Sequence, residues 1–295
     1  MASDPPMHSD SGNTYILDPE SVAEMARLIE LDNMTTKSMG DFLNGLTDLP
    51  DEAKVLDIAC GPGGWALDMA FNYPDMEVIG IDISQTMVAY ANARASSQGI
   101  RNVSFGVMDT TQTLDFSDHS FDLVNGRLLS SFLHRDVWMQ LLQECRRILR
   151  PGGILRITET DNGGVTNSPS FDQLNTLLFQ TMHKAGYGFS PHGTTLGITP
   201  MLERLFSQAG YTQIQSQAHS VNFSSDAEAW SNFYKNAEVV FDGALPLLQR
   251  ANPNAAEELT SLYQRMLIEM QEPEFCGRWY LLTVWGTTPE LTTPS

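Results

Sequence analysis

Basic residues are scarce in this chain of 295 residues: 17 Lys+Arg stand against 36 Asp+Glu, a formal net charge of −19. Nucleic-acid binding draws on a basic footprint that displaces counterions, and docking on anionic lipid needs the same. Neither partner is expected, and the acidity reads as solubility. Cysteine is nearly absent. Cys60, Cys145 and Cys276 are scattered and odd in number, which excludes a disulfide framework and fits reduced thiols in the cytoplasm. No apolar run is long enough to span a bilayer, and the opening residues lack the basic-then-apolar order of a signal peptide. H-E-x-x-H, C-x-x-C and acidic clusters with ligand spacing are also missing, so no metal is expected. The absence of G-x-S-x-G removes the common serine-hydrolase turn. No internal repeat or low-complexity segment is evident.

What the chain does have is Val55-Leu56-Asp57-Ile58-Ala59-Cys60-Gly61-Pro62-Gly63-Gly64. A short apolar run reads as a buried strand, and the glycines then break it. Ala66, Leu67, Met69, Ala70 and Tyr73 follow at helical spacing. Strand, tight turn and helix make the first half of a βαβ unit. The turn leaves main chain open to a small ligand at a helix N-terminus. Two patterns fit the same letters. Gly61-x-Gly63-x-x-Ala66 matches the dinucleotide fingerprint of an NAD-dependent oxidoreductase. Asp57-x-Ala59-x-Gly61-x-Gly63 instead places a carboxylate at the strand end, which repels a pyrophosphate and suits an amine-bearing ligand.

Four more buried strands follow. Glu77–Ser84 ends in Asp82, 25 residues after Asp57, close to the spacing of an acid that accepts from both ribose hydroxyls. The alternative is an Asp that caps the helix Ser84–Ser97. Met87 on that helix is either an adenine contact or core. The third strand, Val103–Met108, leads into Asp109-Thr110. The fourth, Phe121–Gly126, carries Asn125 and Arg127 at its carboxyl end, the edge where ligands lie in open α/β sheets. A purely structural arginine is the competing reading. A helix over Asp136–Leu149 stops at Leu149-Arg150-Pro151-Gly152-Gly153, read as a turn, and a fifth strand covers Ile154–Glu159. Upstream, Asp18-Pro19 opens one helix and a second is expected over Thr35–Leu46. Downstream, helices are expected near 170–184 and 200–209. A strand at Thr212–Phe223 and a helical insertion from Asp226 punctuated by Gly243–Pro246 and Pro253 come next, then a last strand, Trp279–Trp285.

The glycine turn with its leading acid, the D-x-S-F-D-x-V-like stretch before Asn125 and the L-R-P-G-G stretch, in this order, resemble the class I S-adenosylmethionine (SAM) dependent methyltransferases of the small-molecule kind. The resemblance covers about Lys54 to Thr160. One departure is Ala59, where the family often has glycine. The fold implied is α/β and Rossmann-like: a doubly wound seven-stranded sheet whose last strand is antiparallel, with a helical lid and insertions. The expected organisation is a disordered leader (1–13), an N-terminal helical lid (14–50), a SAM-binding core (51–161) and the rest of the sheet (162–295) with substrate-side insertions at 162–200 and 226–270.

The resemblance implies that Asp57, Ala59, Gly61 and Gly63 form the cofactor bend, and that Asp82, Ile83 and Met87 belong to the ribose and adenine side. By position Asp109, with Thr110, meets the adenine amine, and Asn125 and Arg127 complete the cofactor edge. Methyl transfer from a sulfonium needs alignment and desolvation more than protein chemistry, and a general base helps where the acceptor is a hydroxyl. His134 and His192 are the candidates for that base. The histidine many members carry between the fourth strand and the next helix is Phe132 here. Tyr15, Tyr187, Trp230 and Tyr234 are candidates to line an acceptor pocket, or equally to hold the insertions together. The expected activity is methyl transfer to a small organic molecule at oxygen, nitrogen or carbon, by a monomer or homodimer. A non-methylating use of bound SAM, such as a cyclisation, and an NAD-dependent oxidation are the alternatives.

Overall fold

The computed structural model describes residues 17–18, 20–40, 43, 46 and 49–290. A lid helix, α1 (Val22–Met39), precedes the central strand β1 (Lys54–Ile58). The units α2 (Gly64–Asn72), β2 (Glu77–Asp82), α3 (Gln85–Gln98), β3 (Val103–Val107) and β4 (Phe121–Arg127) follow. A 3-10 turn, Leu129–Ser131, leads to α4 (Trp138–Ile148) and β5 (Leu149–Glu159). The remaining elements are β6 (Val165–Thr166), α5 (Pro169–Lys184), α6 (Thr199–Gln208), β7 (Thr212–Asn222), α7 (Trp230–Ala251), α8 (Ala256–Glu269) and β8 (Gly277–Thr287).

The strands form one sheet in the order β3-β2-β1-β4-β5-β8-β6, with β7 on the free side of β8. β1 to β5 are mutually parallel, and β8 is antiparallel to β5, β6 and β7. The doubly wound sheet with an antiparallel final strand is therefore present, and the two-residue β6 makes eight strands among the described residues where seven were expected.

β1 is central and buried on both faces, which is why it reads as a continuous apolar run. Its side chains alternate. Leu56 and Ile58 join the core with Trp138, Leu141 and Cys145, whereas Val55 joins the one with Trp65, Leu67 and Met69. The winding reverses between β1 and β4, so a crevice opens at their carboxyl ends. Helices α1, α5 and α7 roof it. Phe171 of α5 and Phe241 of α7 meet edge to face at 5.6 Å, and Phe233 of α7 stacks on Phe223 at 3.6 Å.

Three local expectations change. Thr35 belongs to α1, which runs unbroken to Met39 and ends at Gly40 with φ 80°; residues 41, 42, 44 and 45 of the expected second helix lie outside the described residues. Leu149–Gly153 is part of β5, with a register shift between Phe121 and Leu123 absorbing the glycines. Helix α7 continues through Gly243 and Pro246, because Phe241, Ala244 and Leu248 bury one continuous stripe that outweighs the local breakers.

Candidate active site

A cavity of about 350 Å³ opens on the carboxyl edge of the sheet. Its floor follows the strand order, from the β3 and β2 ends through β1 to β4, and it extends under the roof helices.

The bend after β1 carries three left-handed residues: Ala59 (φ 51°), Gly61 (φ 53°) and Gly63 (φ 78°). For Ala59 this conformation costs roughly 1–2 kcal/mol, which explains why glycine suits the position. Ala59, Cys60, Gly61 and Gly64 line the cavity. Gly63 does not; a Cβ there would fall 2.7 Å from the Phe105 ring and 2.9 Å from Ala91. Its lack of a side chain serves the packing of the bend on β3 and α3.

Asp82 ends β2. Its Oδ2 accepts from the Gly61 N–H (2.8 Å) and its Oδ1 from the Ser84 N–H (2.9 Å), which ties the second strand end to the bend. Burial pushes this carboxyl up. The cap of α3 is Ser84, whose Oγ accepts from the Met87 N–H at 3.1 Å, so Asp82 is not the helix cap. Asp82, Ile83, Met87, Asp109 and Thr110 share one end of the cavity. Asp109 Oδ1 accepts from the N–H and Oγ1 of Thr111, at 2.9 and 2.7 Å, which fixes its orientation.

Asp57 lies in mid-cavity, 3% exposed. Burial pushes its carboxyl up to about 7, against the opposing pull of Arg127 and Asn125. Asn125 donates to Asp57 Oδ1 at 2.8 Å and accepts from Arg156 Nη1 at 2.8 Å. With no exposed surface, Asn125 orients Asp57 from behind and is not among the residues lining the cavity. Arg127 does line it, beside Asp32 and Thr36 of α1. Burial opposes the Arg127 charge, but the Asp32 and Asp57 carboxylates hold the guanidinium above its ordinary value.

Beyond β4 the wall becomes apolar. Leu128 turns in the left-handed region (φ 56°), and Ser130 and Phe132 follow on the cavity wall. Ser130 donates its N–H and Oγ–H to the buried Glu159, whose carboxyl burial pushes up to about 8. Phe171, Leu178, Phe179 and Met182 of α5 face Phe233, Val240 and Phe241 of α7, with Trp279 at the base.

The expected acceptor-side residues lie elsewhere. His134 packs on Tyr187 at 4.3 Å and pairs with it across a β-bridge, so both rings are used in joining two loops and neither lines the cavity. His192 sits exposed on a loop. Trp230 donates to the Met270 carbonyl at 2.8 Å and stacks on Tyr234 at 5.5 Å, and the Tyr234 hydroxyl accepts from Gln271 at 2.9 Å. These two hold α7 to the end of α8. Tyr15 lies outside the described residues. The residues that do line the chamber were missed because Phe171, Leu178 and Phe179 share the apolar stripe of an ordinary core helix. Asn175, a polar residue inside that stripe and on the cavity wall, was the available signal.

The bend offers bare main chain where a Cβ on Gly64 would collide with the Asp32 carboxylate, and acids stand at three successive strand ends. Main chain and carboxylates thus share one edge of the cavity. The fold and this arrangement are those that the resemblance to class I SAM-dependent methyltransferases implies, and the comparisons with known proteins point the same way. The family described as "Methyltransferase domain" matches residues 55–153. The chain is 28% identical over 204 residues to a demethylmenaquinone methyltransferase of Lactococcus lactis, covering 63% of this chain and 73% of that protein. It is 36% identical over 138 residues to phosphoethanolamine N-methyltransferase 3 of Arabidopsis thaliana, covering 46% of this chain and only 26% of that one. In fold it is similar to the YcgJ protein of Bacillus subtilis, with a TM-score of 0.52, 19% identity, and coverage of 88% of this chain and 98% of that. SAM is the cofactor of the family. No helix among the described residues is long and apolar enough to cross a membrane.

Proposed function

We propose that the protein transfers the methyl group of SAM to an apolar small molecule held between α1, α5 and α7. The observation that carries this reading is the continuity of the cavity. Its acidic, glycine-lined part passes at Ser130 and Phe132 into a chamber walled by Phe171, Phe179, Phe233 and Phe241. SAM, when bound, supplies a methyl group already activated on a sulfonium.

The protein's part is positioning and exclusion of water. Asp82, fixed by two backbone N–H groups, is suited to accept from ribose hydroxyls, and Asp109 from the adenine amine. Asp57 is suited to face the amine of the donor's tail. The aromatic walls hold the acceptor and keep the reacting atoms dry, so in-line placement at about 3–3.5 Å suffices for transfer. Phe132 on the wall, where many relatives have histidine, fits an acceptor that does not depend on a histidine base. On this reading the core around 51–161 serves the cofactor and the insertions at 162–200 and 226–270 serve the acceptor.

The test is incubation with methyl-labelled SAM and a panel of apolar phenols, amines, quinols and prenyl compounds. Labelled product with matching S-adenosylhomocysteine supports the proposal. Tight SAM binding with an acceptor transformed but unlabelled would favour a non-methylating use of the cofactor. Tight NAD binding in place of SAM would overturn both.

A further inference from the structure

One polar side chain in the apolar chamber carries a donor that the protein does not use. Asn175 of α5 stands in the stripe of Phe171, Leu174, Leu178 and Phe179, is 8% exposed and lines the cavity. Its Oδ1 accepts from the Gly163 N–H at 3.3 Å, and a Cβ on Gly163 would fall 2.8 Å from that oxygen. The loop at 162–163 therefore closes on the carbonyl side of the amide. This contact fixes which way round the amide lies, because a backbone N–H bonds the oxygen and not the nitrogen. Nδ2, with its two N–H donors, has no partner among the described residues. Nor is it sealed inside the protein, so it opens to the cavity that Asn175 lines.

Asn236 of α7 lines the same cavity and is tied in the same sense. Its Oδ1 accepts from Arg27 Nη1 at 2.7 Å. Arg27 is itself gripped by Glu24, through Nε at 2.7 Å and Nη2 at 2.6 Å, so its charge is matched within the protein. Two helices that face each other across the chamber thus each carry an amide whose oxygen is engaged and whose N–H groups are not. Among the described residues, those that α5 and α7 add to the cavity wall include no charged side chain.

Donors in an apolar wall select what they can pair with. A hydrocarbon leaves them dry and unpaired, and an ammonium brings only further donors. A carbonyl oxygen has two lone pairs and no hydrogen of its own to satisfy. A site built to hydrogen-bond one substrate group discriminates strongly against the analogue that lacks it.

We propose that Asn175 determines acceptor specificity by donating from Nδ2 to a carbonyl oxygen of an otherwise apolar molecule, with Asn236 as a second donor on the facing helix. The inference rests on the chamber being the acceptor site, and it adds the functional group by which the acceptor is held and turned towards the donor.

The test fills the cofactor half first, with saturating S-adenosylhomocysteine, whose own affinity is measured. The full chain is then titrated calorimetrically with α-tetralone and with tetralin, the same bicyclic skeleton without the oxygen. An apolar wall alone would prefer tetralin by roughly tenfold, because the ketone would lose its water without replacement. Wild-type protein should instead bind α-tetralone at least as tightly as tetralin. Asn175→Leu, similar in volume, should weaken α-tetralone by roughly tenfold, leave tetralin no weaker and keep S-adenosylhomocysteine within about twofold. The infrared carbonyl stretch of bound, isotopically labelled α-tetralone should lie at the lowered frequency of a hydrogen-bonded ketone and rise in Asn175→Leu. A merely structural asparagine would not move that band. Preference for tetralin in wild type would overturn the proposal, a result that stands even if the variant does not fold. So would equal losses of both probes in the variant, or an unmoved carbonyl band. If loaded wild-type protein bound neither probe, the chamber itself would fail as the acceptor site and the inference with it. Binding of tetralin alone would remove the inference and leave the chamber.

Discussion

Lowering the pH should weaken cofactor binding, and Asp57 sets the amount. Its carboxyl sits at about 7 in the free protein because it is buried, with Asn125 donating to it and Arg127 nearby. A bound α-ammonium favours the ionised form, so binding draws the carboxyl down and releases a proton wherever Asp57 starts protonated. With a starting value of about 7, the ionised fraction drops about tenfold from pH 8 to pH 6, and affinity should fall by the same factor. The assay is calorimetry with S-adenosylhomocysteine at several pH values, repeated near pH 6 in two buffers of different ionisation enthalpy to count released protons. Asp82, also pushed up by burial, adds a second acid to the same region, so Asp57→Asn is the control. That variant should bind weakly and lose most of the slope. The free protein should behave in the opposite sense. A carboxyl raised on folding contributes stability that is present at low pH and is lost as pH rises through about 7. Asp57→Asn removes that loss, so the unliganded variant should unfold at a higher urea concentration than wild type at pH 8. Flat affinity across this range, or an undiminished slope in Asp57→Asn, would refute the reasoning.

The same logic applies to Glu159, raised to about 8: wild type should lose stability as pH rises from about 5 to about 8, by up to about 1.4 kcal/mol per pH unit, and level off above that, and Glu159→Gln should abolish this slope, read from urea unfolding. Gly63→Ala combines a left-handed backbone with a Cβ 2.7 Å from Phe105, and should cost at least about 2 kcal/mol by the same method. Phe179→Ala opens the chamber away from the cofactor half. Once an acceptor is found, its KM should rise by roughly tenfold or more while S-adenosylhomocysteine affinity stays within about twofold.

Much of the acidic, glycine-lined half of the cavity was legible because its chemistry is local in sequence. A bend with left-handed residues leaves a glycine signature, and a strand that ends in an acid places that acid on the ligand edge whatever the rest of the chain does. Asp82 and Asp109 could be read this way. Gly63 and Asn125 could not be told from ligand contacts, since only the third dimension shows Phe105 behind one and Arg156 behind the other. The apolar half of the cavity was less legible, for a different reason. Histidines and exposed-looking tyrosines attract attention in a sequence, yet His134, Tyr187, Trp230 and Tyr234 are used in joining loops and helices. The chamber is walled by phenylalanines from α5 and α7 that are indistinguishable from core until the two helices face each other across a gap. Asp32 was invisible because its partner, Arg127, lies 95 residues away.

The central claim is that main chain at the bend, together with Asp82, holds an adenosine-bearing donor. Calorimetric titration of wild-type and Asp82→Ala protein with S-adenosylhomocysteine tests it most directly. Measurable binding by wild type and a loss of roughly 1–3 kcal/mol in the variant are expected, the penalty for leaving buried polar partners unpaired. Absence of binding by wild type, or equal affinity in a folded Asp82→Ala, would contradict it.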